Sequence, residues 1–115
     1  MSAPPIDPAT FEALKETTGA EFALELVDTF LKEAPAMLDD LRRALTARDV
    51  DSFRRAAHSL KSNSNTFGAL TLGAMARELE LAGVAKIIEN GGRPLDVLAA
   101  EYARVAAALT ALRHA

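Results

Sequence analysis

The chain has 115 residues and a formal net charge of −3; half the residues are hydrophobic and a quarter are charged. That balance fits one globular domain, spanning 1–115, and excludes a general nucleic-acid binder, which needs a basic surface. No cysteine means no disulfide, thiolate metal site or thiol nucleophile, and no apolar run reaches the ~18 residues that a membrane span needs.

The start, MSAPPIDP, has neither the basic nor the apolar region of a secretory signal. We therefore expect a cytoplasmic protein with no membrane contact. Residues 1–6 read as a loose arm. Asp7-Pro8 is a helix start, since Asp caps and Pro suits the first helical position. A short helix to about Thr18 ends at Gly19, with Phe11 and Leu14 on one face, enough to lie as a lid on something larger.

Residues 20–47 carry the longest pattern. Ala20, Leu24, Val27, Leu31, Ala34, Leu38, Leu41 and Leu45 alternate spacings of four and three, a bundle seam that Phe30 and Met37 widen. Pro35 lies inside this pattern, but the seam keeps its phase across it, so the spacing predicts one bent helix rather than two. A third helix runs from about Val50 to Phe67, capped by Asp49 or Asp51 and ended by Gly68. A fourth covers about Leu70 to Asn90, with Leu72, Met75, Ala76, Leu79, Gly83 and Ile87 on its apolar side. Gly73 and Gly83 cost it helix propensity, roughly 1 kcal/mol each; they either permit close helix approach or stand as tolerated surface positions. Asn90-Gly91-Gly92 breaks the chain. Pro94 then opens a last helix with Leu95, Leu98, Tyr102, Val105, Leu109 and Leu112.

The prediction is an all-α fold: an up-down-up-down antiparallel four-helix bundle with a short N-terminal lid helix. Its seams can be satisfied within one chain, which predicts a monomer.

The third helix, FRRAAHSLKSNSNTFG, has two unlike faces. At 100° per residue, Asp51, Arg54, Arg55, Lys61, Ser62 and Asn65 fall within about 60° of His58. Phe53, Ala56, Leu60 and Phe67 fall on the opposite side. A neutral imidazole can act as a nucleophile, and Lys61, one turn on, can pair with a phosphoryl group carried by the ring. Ser62 and Asn65 add hydrogen-bond donors, and Arg54 and Arg55 make the face basic. A solvated surface histidine fits the same pattern. No glycine-rich phosphate loop, HExxH or Glu-x-x-His pair is present, so the sequence offers no ATP or metal motif.

AAHSLKSNSNTFGA resembles the core motif of the histidine phosphotransfer (HPt) family: His-x-x-Lys, a run of small residues, and Gly ten positions after the His. Here these are His58, Lys61, Ser62 to Thr66, and Gly68. The helices before and after it also look like family helices, over roughly residues 20 to 90. The resemblance implies a phosphoryl carrier without autonomous kinase activity. By this resemblance His58 would accept phosphate on Nε2 from a receiver-domain aspartyl phosphate and pass it to another receiver, and Lys61 would neutralise the phosphoryl charge. The resemblance also implies no bound cofactor, with the Mg²⁺ brought by the partner receiver. The expected partners are response-regulator receivers or a hybrid sensor histidine kinase. Alternatives are the phosphoacceptor domain of a hybrid or chemotaxis-type kinase, or an inactive helical adaptor.

This chain departs from the resemblance at two positions. Many members have Gly where Ser62 stands, and many have Gln where Glu80 stands, twenty-two residues after the His. Glu80 is either the group that orients His58 through Nδ1 or a solvated helix acid. The receiver-docking face is expected to include Arg54, Arg55, Ser59, Ser62, Asn65, Phe67 and Gly68.

Overall fold

The computed structural model describes residues 4–114. Five helices account for most of them: α1 (Pro8–Thr18), α2 (Ala20–Ala47), α3 (Val50–Thr66), α4 (Leu70–Glu89) and α5 (Arg93–Arg113). No strand occurs among the described residues. α2 packs on α3, α3 on α4, α4 on α5, and α5 back on α2, while α1 lies against α2 and α3. The helix limits fall within one residue of the expected ones. No described helix is long and apolar enough to cross a membrane.

Local chemistry sets the helix starts. The Asp7 carboxylate accepts from the Thr10 backbone N–H at 3.2 Å and from the Thr10 hydroxyl at 2.6 Å, satisfying donors that the first turn leaves free. Asp49 does the same for Ser52, at 3.1 Å to the backbone and 2.8 Å to the hydroxyl.

The N-terminal arm is shorter than expected. Ile6 is buried in the core, and the Asp7 backbone N–H donates to the Gly68 carbonyl at 2.7 Å. One apolar residue before the cap is enough to pin the chain down. Residues 1–3 of the expected arm lie outside the described residues.

The seam of α2 is rotated by about one position from the expected one. Its buried residues are Ala23, Val27, Phe30, Ala34, Leu41 and Ala44. Leu24, Leu31, Leu38 and Leu45 are half-buried at its flanks, and Ala20 is exposed. Two apolar stripes compete on this helix. Small alanines occupy the centre line, and the leucines beside them seal the edges. α2 passes through Pro35 as one helix, with Pro35 itself exposed.

In α4 the chain departs from helical geometry at Gly83 (φ 81°, ψ 168°), a conformation open essentially only to glycine. Nothing lies within 4 Å of a Cβ placed there, so Gly83 serves a break in the helix and not a close approach. Along α5 the buried line is Leu95, Leu98, Glu101, Val105 and Leu109. Tyr102 is half-buried, edge-on to Phe30 at 6.1 Å, and Leu112 is exposed. Glu101 sits inside with one carboxylate oxygen 2.9 Å from Arg104, a buried acid that a polarity pattern reads as surface.

Gly68 closes α3. Its φ of 84° is left-handed, and a Cβ there would stand 2.8 Å from the Asp7 carbonyl oxygen, a backbone atom that cannot step aside. Gly68→Ala is therefore expected to cost about 1–3 kcal/mol, seen as a Tm lower by about 5 °C or more. An unchanged Tm would mean that the α1 junction yields freely.

Candidate functional site

α3 is amphipathic, and its core side fixes what its outer side presents. Phe53, Ala57, Leu60 and Ser64 are buried, a line that turns His58 outward. The His58 side chain is 58% exposed. Its Nδ1 lies 3.0 Å from Glu80 Oε2 on α4. The other oxygen of the same carboxylate accepts from Lys61 Nζ at 3.2 Å. Lys61 and Glu80 are largely covered, with side-chain exposures of 24% and 19%. One carboxylate thus bridges the histidine and the lysine of the His-x-x-Lys spacing.

An ionised carboxylate can only accept hydrogen bonds, so Nδ1 carries the proton in neutral His58 and the lone pair sits on Nε2, away from Glu80. The Lys61 hydrogen bond is the main cause that holds the Glu80 carboxyl below the usual glutamate range. Partial desolvation opposes it, and the His58 hydrogen bond adds to it. A carboxyl whose pKa falls on folding stabilises the native state above its unfolded pKa and loses that contribution as pH falls through the folded one. Wild type and Glu80→Gln should therefore differ in stability at neutral pH and converge in acid, as pH falls below the usual glutamate range. Thermal melts across that range read the effect; a constant difference would place its origin in packing.

Two contacts fix the register of α3 against α4. His58 meets Glu80, and seven residues further along α3 the Asn65 amide lies against Gly73, seven residues back along α4. The two helices therefore run antiparallel.

Arg54, Arg55, Ser59, Ser62 and Asn65 are exposed on the His58 side of α3, as expected. Two residues expected on this face belong elsewhere. Phe67 is 3% exposed, with its ring 5.2 Å from that of Phe30. It lies opposite His58 on the helical wheel, so the core claims it. Gly68 is buried beneath the Asp7 segment. Sequence reasoning also missed a neighbour. Arg55 and Ser59 line an open groove of about 590 Å³ between α2 and α3, whose far wall holds Met37, Asp40 and Arg43. Arg43 is engaged there by Asp40 at 2.6 Å. No group of three or more His, Cys, Asp or Glu side chains converges as a metal site among the described residues.

The helical fold agrees with comparison to known proteins. The Hpt domain profile matches residues 25–115. The chain belongs to the Hpt domain family. Among solved structures, this Hpt domain is similar to the crystal structure of histidine-containing phosphotransfer protein B (HptB) from Pseudomonas aeruginosa PAO1. The TM-score is 0.88 at 29% sequence identity, covering 98% of this chain and 97% of that one. No curated protein matches the chain.

Proposed function

We propose that this Hpt domain is a phosphorelay carrier. It takes a phosphoryl group onto His58 Nε2 from the aspartyl phosphate of a receiver domain and gives it to another receiver. The observation that carries the reading is the Glu80 carboxylate shared between His58 Nδ1 and Lys61 Nζ.

The chemistry follows from that bridge. The Nε2 lone pair forms the new N–P bond while the P–O bond of the acyl phosphate breaks, and the electron pair returns to the receiver's aspartate. The imidazole ring gains positive charge as it loses the lone pair. Its Nδ1 proton stays in place, held towards Glu80, whose negative charge stabilises that ring. Phosphoryl transfer needs little covalent help from the protein and depends on alignment and charge compensation. Lys61 supplies the second of these. Its ammonium leaves Glu80 for the phosphoryl oxygens once these arrive, a short movement for a flexible side chain.

The Mg²⁺ that aligns the acyl phosphate belongs to the receiver in this reading, and the domain binds no cofactor of its own. It is a carrier without autonomous kinase activity, monomeric and cytoplasmic, and its four long helices alternate in direction around their short connections. Arg54, Arg55, Ser59, Ser62 and Asn65 form the face that meets the receiver's acidic pocket, with the basic side chains steering approach.

The test is a phosphotransfer profile. Each receiver of the source organism is phosphorylated, mixed with this protein and Mg²⁺, and label transfer is timed. Rapid transfer from at least one receiver is expected. A full panel that transfers nothing would sink the reading.

A further inference from the structure

Gly73 stands in the first turns of α4, buried, with ordinary helical backbone. Helical geometry asks for no glycine there, and alanine forms helix better. The neighbourhood supplies the reason for its presence. The three heavy atoms nearest to a Cβ placed on Gly73 are Oδ1, Cγ and Nδ2 of Asn65, and that Cβ would overlap Oδ1. The glycine is a notch in α4, and the amide of Asn65 fills it. Asn65 lies two turns beyond His58 and about 20° from it around α3, so it shares the His58 face. The notch lays its side chain across the line between α3 and α4.

We propose that Gly73 is a positioning residue for receiver docking. By seating the Asn65 amide against α4, it keeps that side chain from standing over the approach to His58. The inference rests on the phosphotransfer reading above and assigns one determinant of the docking surface. The atoms that a methyl group at position 73 meets are the far end of a flexible side chain, the Asn65 amide. The side chain gives way. Asn65 then adopts another rotamer; because Asn65 is exposed and lies about 20° from His58 around α3, a side chain displaced from α4 stands on the face where the receiver must close. Glycine at 73 thus costs helix stability and returns an open docking face, a trade between stability and activity.

The experiment compares wild type, Gly73→Ala, Asn65→Ala and the double variant with two phosphoryl donors. One donor is a phosphorylated receiver with Mg²⁺. The other is phosphoramidate, which needs no docking: its P–N bond breaks, the Nε2–P bond forms, and ammonia leaves. Gly73→Ala should accept from phosphoramidate at the wild-type rate, accept from the receiver about 10-fold more slowly, and melt at the wild-type temperature or about 3 °C higher. Removing the displaced amide should undo the harm, so the double variant should transfer as fast as Asn65→Ala alone. Three results overturn the proposal: receiver transfer to Gly73→Ala at the wild-type rate, a double variant as slow as Gly73→Ala, or equal slowing with both donors. A wild-type protein that labels from phosphoramidate but from no receiver overturns the phosphotransfer reading itself. A normal wild-type rate with an unslowed Gly73→Ala overturns this inference alone.

Discussion

His58→Gln is expected to take no label from a phosphorylated receiver, less than about 1% of the wild-type rate, with the fold unchanged. Glutamine keeps a polar side chain of similar reach, and its NH₂ group can donate to Glu80 Oε2 where Nδ1–H does now. It has no nucleophilic nitrogen lone pair. The structural cost is small because the His58 side chain is 58% exposed. The core below it is built from Phe53, Ala57 and Leu60, so the substitution opens no cavity. Surface changes of this kind usually stay within about 0.5 kcal/mol. The measurement is label transfer alongside a thermal melt. His114, the other histidine in the chain, caps α5 far along the sequence and provides the control. Label kept by His58→Gln and lost by His114→Gln would move the acceptor site.

Much of the fold could be read ahead because local signals agreed with one another. Asp7 and Asp49 announced two helix starts, and both cap as expected. The outward face of α3 was legible because its core line of Phe53 and Leu60 fixes the opposite direction. What could not be read depends on partners distant in sequence. On α2 two apolar stripes lie side by side, and only the packed neighbours decide that Ala23, Phe30 and Ala44 go inside while Leu24 and Leu45 seal the flank. Ile6 looks like part of a loose arm until the end of α3 is there to hold Asp7. Gly73 and Gly83 are the same residue with opposite uses. One admits the Asn65 amide, and the other admits a backbone turn that only glycine tolerates.

The site divides in the same way. His58 and Lys61 were visible as a spacing on one helix, and the resemblance pointed to Glu80. That a single carboxylate serves both partners is a tertiary fact, since Lys61 and Glu80 meet only when α3 and α4 pack. Phe67 was assigned both to the core and to the docking face. The wheel angle, which placed it opposite His58, was the sounder guide, and the Phe30 ring now covers it.

Glu80→Ala is expected to slow receiver transfer about 10- to 100-fold, whereas Glu80→Gln should slow it only a few-fold. The contrast separates geometry from charge. Glu80 holds Nδ1–H with one oxygen and Lys61 with the other. Glutamine keeps a carbonyl oxygen to accept from Nδ1–H, so Nε2 stays unprotonated and aimed outward. What it loses is negative charge beside the ring, and a neutral acceptor makes a weaker bond than a carboxylate. The same change frees Lys61 for the phosphoryl group and partly compensates. Alanine removes both functions. The imidazole can then turn and carry its proton on either nitrogen, and the fraction of productive encounters falls. Nitrogen NMR of the ring should show one tautomer in wild type and Glu80→Gln, and a mixture in Glu80→Ala. Lys61→Ala should slow transfer about 10-fold on its own. Combined with Glu80→Gln, its effect should not simply multiply, because the two groups share one contact. Independent effects would mean that Lys61 reaches the phosphoryl group without leaving Glu80. A wild-type rate in Glu80→Ala would make Glu80 a bystander and leave the orientation of His58 to the receiver.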